Sequence, residues 1–403
     1  MAKVTIVVHA LVRKVFTGGI LCIFEYAQGL TERGHEVTVV SLYPSEDPEW
    51  FPYKFRILHA SPMRGQRLRR KIFVPRKRTP KSAIRSWMID LMHPLTRHGT
   101  YHHSLSYRLN ALSTVRLPAD VTIATHFATA LPVAFYGMGR KFYFMQHFEK
   151  LIAGEFEFSH EALTEADMSY RLGLTMIANS SWLRDQVARN YGITPELSTN
   201  AIDHRIFYKK ELFPRDGSQP FTVVSYGGRN AEWKGFLEAA KAIRIVRQKY
   251  PDLVWKVYGG SVLAPDNEIA PFQGCGFVAG ESLADLYRSS HATLCPSWYE
   301  SFPLFPLEAM ACGSAVVTTP FGVEDYAFDN KTAKLVEAKN PESIAAGLLA
   351  LIENEPLRRS VVQNGITEAQ KHNWERSVAT FESIILGGGS WEPGGSVPAV
   401  RLS

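Results

Sequence analysis

Short apolar runs rich in β-branched and aromatic residues recur along the first half of the chain: residues 4–10, 36–43, 55–60, 121–126, 142–147 and 175–180. Several are separated by stretches whose apolar residues return at helical spacing, as in 20–33. This alternation predicts a mostly parallel sheet covered by helices on both faces. A second series follows the polar stretch LFPRDGSQP (212–220), which reads as a linker. It runs 221–228, 254–260, 292–297, 315–320 and 333–338, with helical patterns at 236–249 and 282–289. Beyond residue 341 the pattern is helical, ending in WERSVATFESIIL; the Gly-, Ser- and Pro-rich tail 387–403 has no periodicity and reads as disordered. The fold class is therefore α/β, with two Rossmann-like domains in tandem. The expected divisions are 1–211, a linker at 212–220, 221–370, a helix at 371–386 and the tail.

Composition narrows the class. At 403 residues, 45% apolar and 21% charged, the chain suits a globular two-domain protein. It shows no apolar run of transmembrane length and no signal-peptide architecture at residues 1–8, so a cytoplasmic location is expected. Cys22, Cys275, Cys295 and Cys312 lack metal-ligand spacing and read as reduced, structural thiols.

The net charge of +6 is unevenly placed. Arg64, Arg67, Arg69, Arg70, Lys71, Arg76, Lys77, Arg78, Lys81 and Arg85 occur with no acid among them; without these ten, 35 basic residues face 39 acidic ones, a net −4. With Phe73 and Trp87 nearby, the segment suits an anionic membrane surface, an acidic acceptor, or a solvated insertion. It contains no recognised nucleic-acid-binding module.

The candidate chemistry lies at the carboxyl ends of the expected strands, where open α/β sheets bind ligands. Glu300 and Glu308 bracket ESFPLFPLEAMACG, a proline-punctuated turn that follows the apolar segment ATLCPS and opens a short helix ended by Gly313. Carboxylates there can accept hydrogen bonds from sugar or ribose hydroxyls while backbone N–H groups face an anion. The same pattern also fits a solvated acid followed by an ordinary helix acid. Gly18 and Gly19, ahead of the helical pattern 20–33, allow close backbone approach to a ligand or simply form a tight turn. Arg229 and Lys234 follow the strand 221–228 and suit an anionic ligand, or stand as two exposed loop cations. His126 and His147 each end an expected strand.

With Gly18-Gly19, Arg229, Lys234 and the Glu300/Glu308 pair in this order, the chain resembles the retaining GT-B glycosyltransferases of family four, whose C-terminal half is the glycosyl transferases group 1 domain. ESFPLFPLEAMACGSAVVTT is similar to the family's two-glutamate motif, YGGRNAEWKG to its diphosphate-gripping segment, and ANSSWLRDQV and NAIDHRIF to the sequence entering the interdomain linker. Ala201 stands where the family usually has Gly.

The resemblance implies a GT-B fold whose two domains close over an interdomain cleft, with the last helix returning to the first domain. It implies that Glu300 contacts donor-sugar hydroxyls and Glu308 the ribose. Arg229 and Lys234 would stabilise the leaving diphosphate in place of a metal, and Gly18 and Gly19 would pack against it. His147 would lie beside the sugar, and backbone amides of Phe302, Leu304 and Phe305 would complete the cradle. The implied donor is a UDP-, GDP- or dTDP-sugar with no further cofactor. The implied acceptor is a hydroxyl, lipid-linked or acidic, in bacterial-type cell-surface glycan or glycolipid synthesis, with the enzyme peripheral on the inner membrane face. A catalytically silent sugar-nucleotide-binding subunit, or another GT-B enzyme such as an epimerase or a glucan phosphorylase, is the competing reading.

Overall fold

The computed structural model describes residues 1–13, 17–43, 46–60, 105–115, 117–151, 160–210, 220–227, 232–259 and 269–387. The basic segment from Arg64 to Arg85, Arg229, the tail beyond 387 and all but Pro220 of the expected linker lie outside them.

Two all-parallel sheets organise the described residues. The first has the order β3-β2-β1-β4-β5-β6-β7, from β1 (Lys3–Val8), β2 (Glu36–Ser41), β3 (Arg56–His59), β4 (Val121–Ala124), β5 (Arg140–Met145), β6 (Thr175–Ala178) and β7 (Glu196–Leu197). Val4 pairs with Val37 on one side and Val121 on the other, so β1 is central and its side chains are buried on both faces. That burial is why these strands read as continuous apolar runs. The second sheet runs β10-β9-β8-β11-β12-β13, from β8 (Thr222–Tyr226), β9 (Val254–Tyr258), β10 (Gln273–Gly276), β11 (Ala292–Cys295), β12 (Ala315–Thr318) and β13 (Lys334–Leu335). Sequence reasoning missed β7 and β10. β7 has only two residues, and the QGCG of β10 has no strand-forming side chain and is fixed by pairing with β9.

In each sheet the strand order reverses beside the first strand, between β1 and β4 and between β8 and β11. The carboxyl ends at these switch points are the expected ligand crevices of such sheets. Ile202 and Phe207 pack into the core of the second sheet, ahead of the expected linker. Ile202 also forms a bridge with Asn373, so the chain's two crossings run side by side. The helix Trp374–Leu386 then packs on the first sheet, where Val378, Phe381 and Ile385 join Ile23, Phe24 and Tyr26. Gly29 permits that approach, because a Cβ there would lie 2.5 Å from a methyl of Val378. No helix among the described residues is long and apolar enough to cross a membrane.

Candidate active site

The loop after β11 is clasped by two glycines whose backbones only glycine adopts readily. Gly235 (φ +69°) sits so close to Pro296 that a Cβ would fall 2.2 Å from its carbonyl oxygen; Gly322 (φ +77°) stands in the same relation to Glu300 at 2.3 Å. The Trp298 amide adds a 2.7 Å hydrogen bond to the Trp233 carbonyl, joining this loop to the segment after β8. The loop feeds the helix Leu304–Ala311, whose N-cap is Pro303 and whose first turn has no side-chain cap. Its N-terminus, with about half a positive charge at the helix end, borders a recess lined in part by Pro303, Phe305 and Pro306. Tyr226, Lys234, Glu300, Phe305 and Thr319 line that recess.

Both glutamates are buried, 8% and 6% exposed, so neither is a solvated acid. Glu300 accepts from the Lys234 ammonium and, at 3.0 Å, from the Ser297 hydroxyl. Burial pushes its carboxyl up, but the Lys234 charge, with help from His147 and Ser297, outweighs burial and holds it below the ordinary value. Glu308 has the opposite balance: burial lifts it to about 8, and the Tyr287 hydroxyl only partly counters that. Its Oε2 is buried without a hydrogen-bond partner in the protein. One carboxylate of the pair is thus charged and paired, the other close to neutral and incompletely satisfied.

The two histidines separate cleanly. His126 caps the helix Phe127–Tyr136, its Nδ1 accepting from the Ala128 amide at 3.2 Å. Burial, with Arg108 and His147, takes it down to about 3, so it is a neutral helix cap. His147, just past β5, is exposed and close enough to lower the Glu300 carboxyl. Gly18 and Gly19 are the first two residues of the helix Gly18–Glu32 rather than a turn before it; neither has positive φ, and a Cβ at either meets nothing within 4 Å. The tight-turn explanation does not apply, and the space beside them is open. Leu304 and Phe305 begin the uncapped helix, whereas the Phe302 ring is a core residue beside Tyr326 and His372.

Several site-building residues escaped sequence reasoning. The Ser301 hydroxyl donates to Asn179 Oδ1, and Asn179 Nδ2 reaches the Gln146 carbonyl at 3.4 Å, linking the loop after β11 to the ends of β5 and β6. Asp325 accepts from the amide (2.9 Å) and hydroxyl of Ser181, the first residue of the helix Ser181–Tyr191. The Ser301–Asn179 and Asp325–Ser181 contacts join residues more than 100 apart and the Asn179–Gln146 contact residues 33 apart, so none leaves a local signal. Glu149 is also buried, lifted by burial to about 8, and accepts from the Phe127 amide at 3.0 Å. Among the described residues no group of three His, Cys, Asp or Glu is placed to hold a metal ion.

Comparison with known proteins bears on both halves. The model of Glycosyltransferase Family 4 matches residues 17–205, and that of Glycosyl transferases group 1 matches residues 209–368. A D-inositol 3-phosphate glycosyltransferase of Paenarthrobacter aurescens is 28% identical over 229 residues, 52% of this chain and 56% of that protein. The match thus spans little more than half the relative's length. Sucrose-phosphate synthase of Thermosynechococcus elongatus superposes with a TM-score of 0.69 at 14% identity, over 95% of this chain and 98% of that one. HepE of Anabaena, solved with UDP-glucose, gives 0.66 at 15% identity over 95% and 100%. At such identities the structural likeness speaks for the fold. The two family matches adjoin near residue 207, one on each parallel sheet, and the chain belongs to the GT-B glycosyltransferases of the family 4 type.

Proposed function

We propose that the protein is a retaining glycosyltransferase that moves a sugar from a nucleotide-diphosphate sugar to a hydroxyl acceptor without a metal. The carrying observation is the recess itself, where the partly buried Lys234 ammonium pairs with the buried Glu300 carboxylate beside an uncapped helix N-terminus; the same helix carries a second, incompletely satisfied carboxyl at Glu308. The diphosphate is assigned to Lys234, the amides of Leu304 and Phe305, and Arg229, with Gly18 and Gly19 approaching from the first sheet. Glu300 takes sugar hydroxyls and Glu308 the ribose, while His147 stands over the sugar. Lys234 has three donors, enough to keep Glu300 ionised and still meet a phosphate oxygen.

In the reaction the bond from the anomeric carbon to the phosphate oxygen loosens. The acceptor oxygen bonds to that carbon from the same face, and its proton passes to the departing phosphate. The protein contributes positioning and charge stabilisation, two large sources of rate enhancement. The donor is read as a UDP-, GDP- or dTDP-sugar; the structural neighbour HepE was solved with UDP-glucose.

The test is a thermal-shift screen over UDP, GDP, dTDP and their sugars, followed by NMR of the product. One nucleotide series is expected to stabilise the protein, by ~2.7 kcal/mol at a hundred times its dissociation constant, and the product to keep the donor's anomeric configuration. No stabilisation by any series removes the donor reading, and an inverted product removes retention. The basic segment from Arg64 to Arg85 is proposed to hold the protein on anionic lipid near a lipid-linked acceptor. Flotation is expected with vesicles containing phosphatidylglycerol and not with phosphatidylcholine alone; equal recovery from both counts against it.

A further inference from the structure

Behind Glu308 lies a buried hydroxyl chain that the proposed reaction leaves without a role. Tyr287, fully buried on the helix Glu281–Arg288, reaches the Glu308 carboxyl and stands 2.8 Å, hydroxyl to hydroxyl, from Tyr258 at the end of β9. When Tyr287 donates to Glu308, its oxygen is left to accept from Tyr258, so the three groups form a one-way chain. The helix carrying Tyr287 is pinned by its neighbour Arg288, whose guanidinium donates to the Ile206 carbonyl at 2.6 Å and the Tyr208 carbonyl at 3.0 Å. A side chain so fixed sets the direction of whatever it bonds. Glu308 Oε2, buried without a partner, is the atom whose direction matters.

Resting on the nucleotide-sugar reading above, we propose that Tyr287, backed by Tyr258, is the positioning residue that aims Glu308 Oε2 at the ribose diol, and that the carboxyl releases its proton when the nucleotide binds. The groups facing Glu308 are Tyr287 from its helix, Tyr258 from β9, Cys295 from β11, Cys312 from the end of its own helix, and Cys22 from the helix Gly18–Glu32. Burial pushes every one of these up, so none carries charge near neutrality. Within that set only the Tyr287 hydroxyl counters the burial of Glu308, and only in part, which is why its carboxyl stands at about 8. Only the ionised form offers both oxygens as acceptors to two ribose hydroxyls.

Calorimetric titration of the full chain with UDP, GDP and their 2′-deoxy counterparts, from pH 6 to 9, tests this. The wild-type protein is expected to bind its preferred ribonucleotide at least tenfold more tightly than the deoxy form, with affinity rising through about pH 8. Tyr287→Phe keeps the ring and removes the hydroxyl. The ribo-to-deoxy ratio is expected to fall towards one, and the pH midpoint to move up because a group that lowers the carboxyl is gone. Tyr258→Phe, one bond further away, is expected to show a smaller change in the same direction, and serves if the first variant is unstable. An unchanged ratio and pH profile in both variants overturn the inference while nucleotide binding stands. Binding of dTDP but neither UDP nor GDP overturns this inference while the donor reading stands, and failure of the wild-type protein to bind UDP, GDP or dTDP overturns both together.

Discussion

Replacing Lys234 with alanine is expected to cut turnover by a factor of ~10²–10³, the usual cost of removing one preorganised charge stabiliser. Two losses combine. In the proposed reaction the departing diphosphate forfeits a cation, and Glu300 loses the charge that keeps it ionised. In the wild-type protein burial works against the Glu300 carboxylate and Lys234 overrides it. Its folded value therefore lies below the ordinary 4.5, and its contribution to stability is full above that value and lost as pH falls through the depressed one. Without the ammonium, burial dominates and the sign reverses: the variant is expected to lose stability as pH rises above the ordinary carboxylate range. Taking up a proton spares it the full ~3–5 kcal/mol of a stranded buried charge. Donor-consumption kinetics and melting curves between pH 5 and 8 measure both effects. Wild-type turnover in Lys234→Ala would remove the residue from the mechanism.

The strands were legible because parallel strands covered on both faces have no polar alternation to obscure them; residues 4–8 and 222–226 read as apolar runs for that reason. Two strands that pair without characteristic side chains, β7 and β10, were not legible. In the site, spacing and proline punctuation singled out Glu300 and Glu308, but their burial and opposite charge states depend on partners elsewhere in the chain. Lys234 is 66 residues from Glu300, and Tyr287 reaches Glu308 from a different helix. Histidines at the ends of two strands look alike in sequence. They differ because one caps the first turn of a helix, whereas the other is exposed and near enough to Glu300 to lower its carboxyl. What sequence shows is residue type and spacing along one element; electrostatic environment is set between elements.

Gly322 puts that distinction to a test at a residue packed behind the Glu300 backbone. Gly322→Ala is expected to destabilise the protein by about 2–4 kcal/mol, combining ~1–2 kcal/mol for a side chain in the left-handed region with a steric overlap. The overlap cannot relax through a flexible side chain. The added methyl would lie 2.3 Å from the Glu300 carbonyl oxygen, 2.6 Å from its carbon and 2.9 Å from the Ser301 oxygen, all of them backbone. What moves is the loop that holds Glu300 against Lys234 and Ser301 against Asn179. A displacement near 1 Å is enough to cost on the order of 10² in turnover. Gly192→Ala supplies the contrast: Gly192 has φ +68° at the end of the helix Ser181–Tyr191, but nothing lies within 4 Å of the position its Cβ would take. That variant is expected to lose ~1 kcal/mol of stability and no turnover. Urea unfolding and steady-state rates on both variants separate backbone strain from displacement of the loop. Equal rate losses at the two positions would show that Gly322 does not set the place of Glu300, whereas a loss confined to Gly322→Ala ties the position of that carboxylate to the backbone packed behind it.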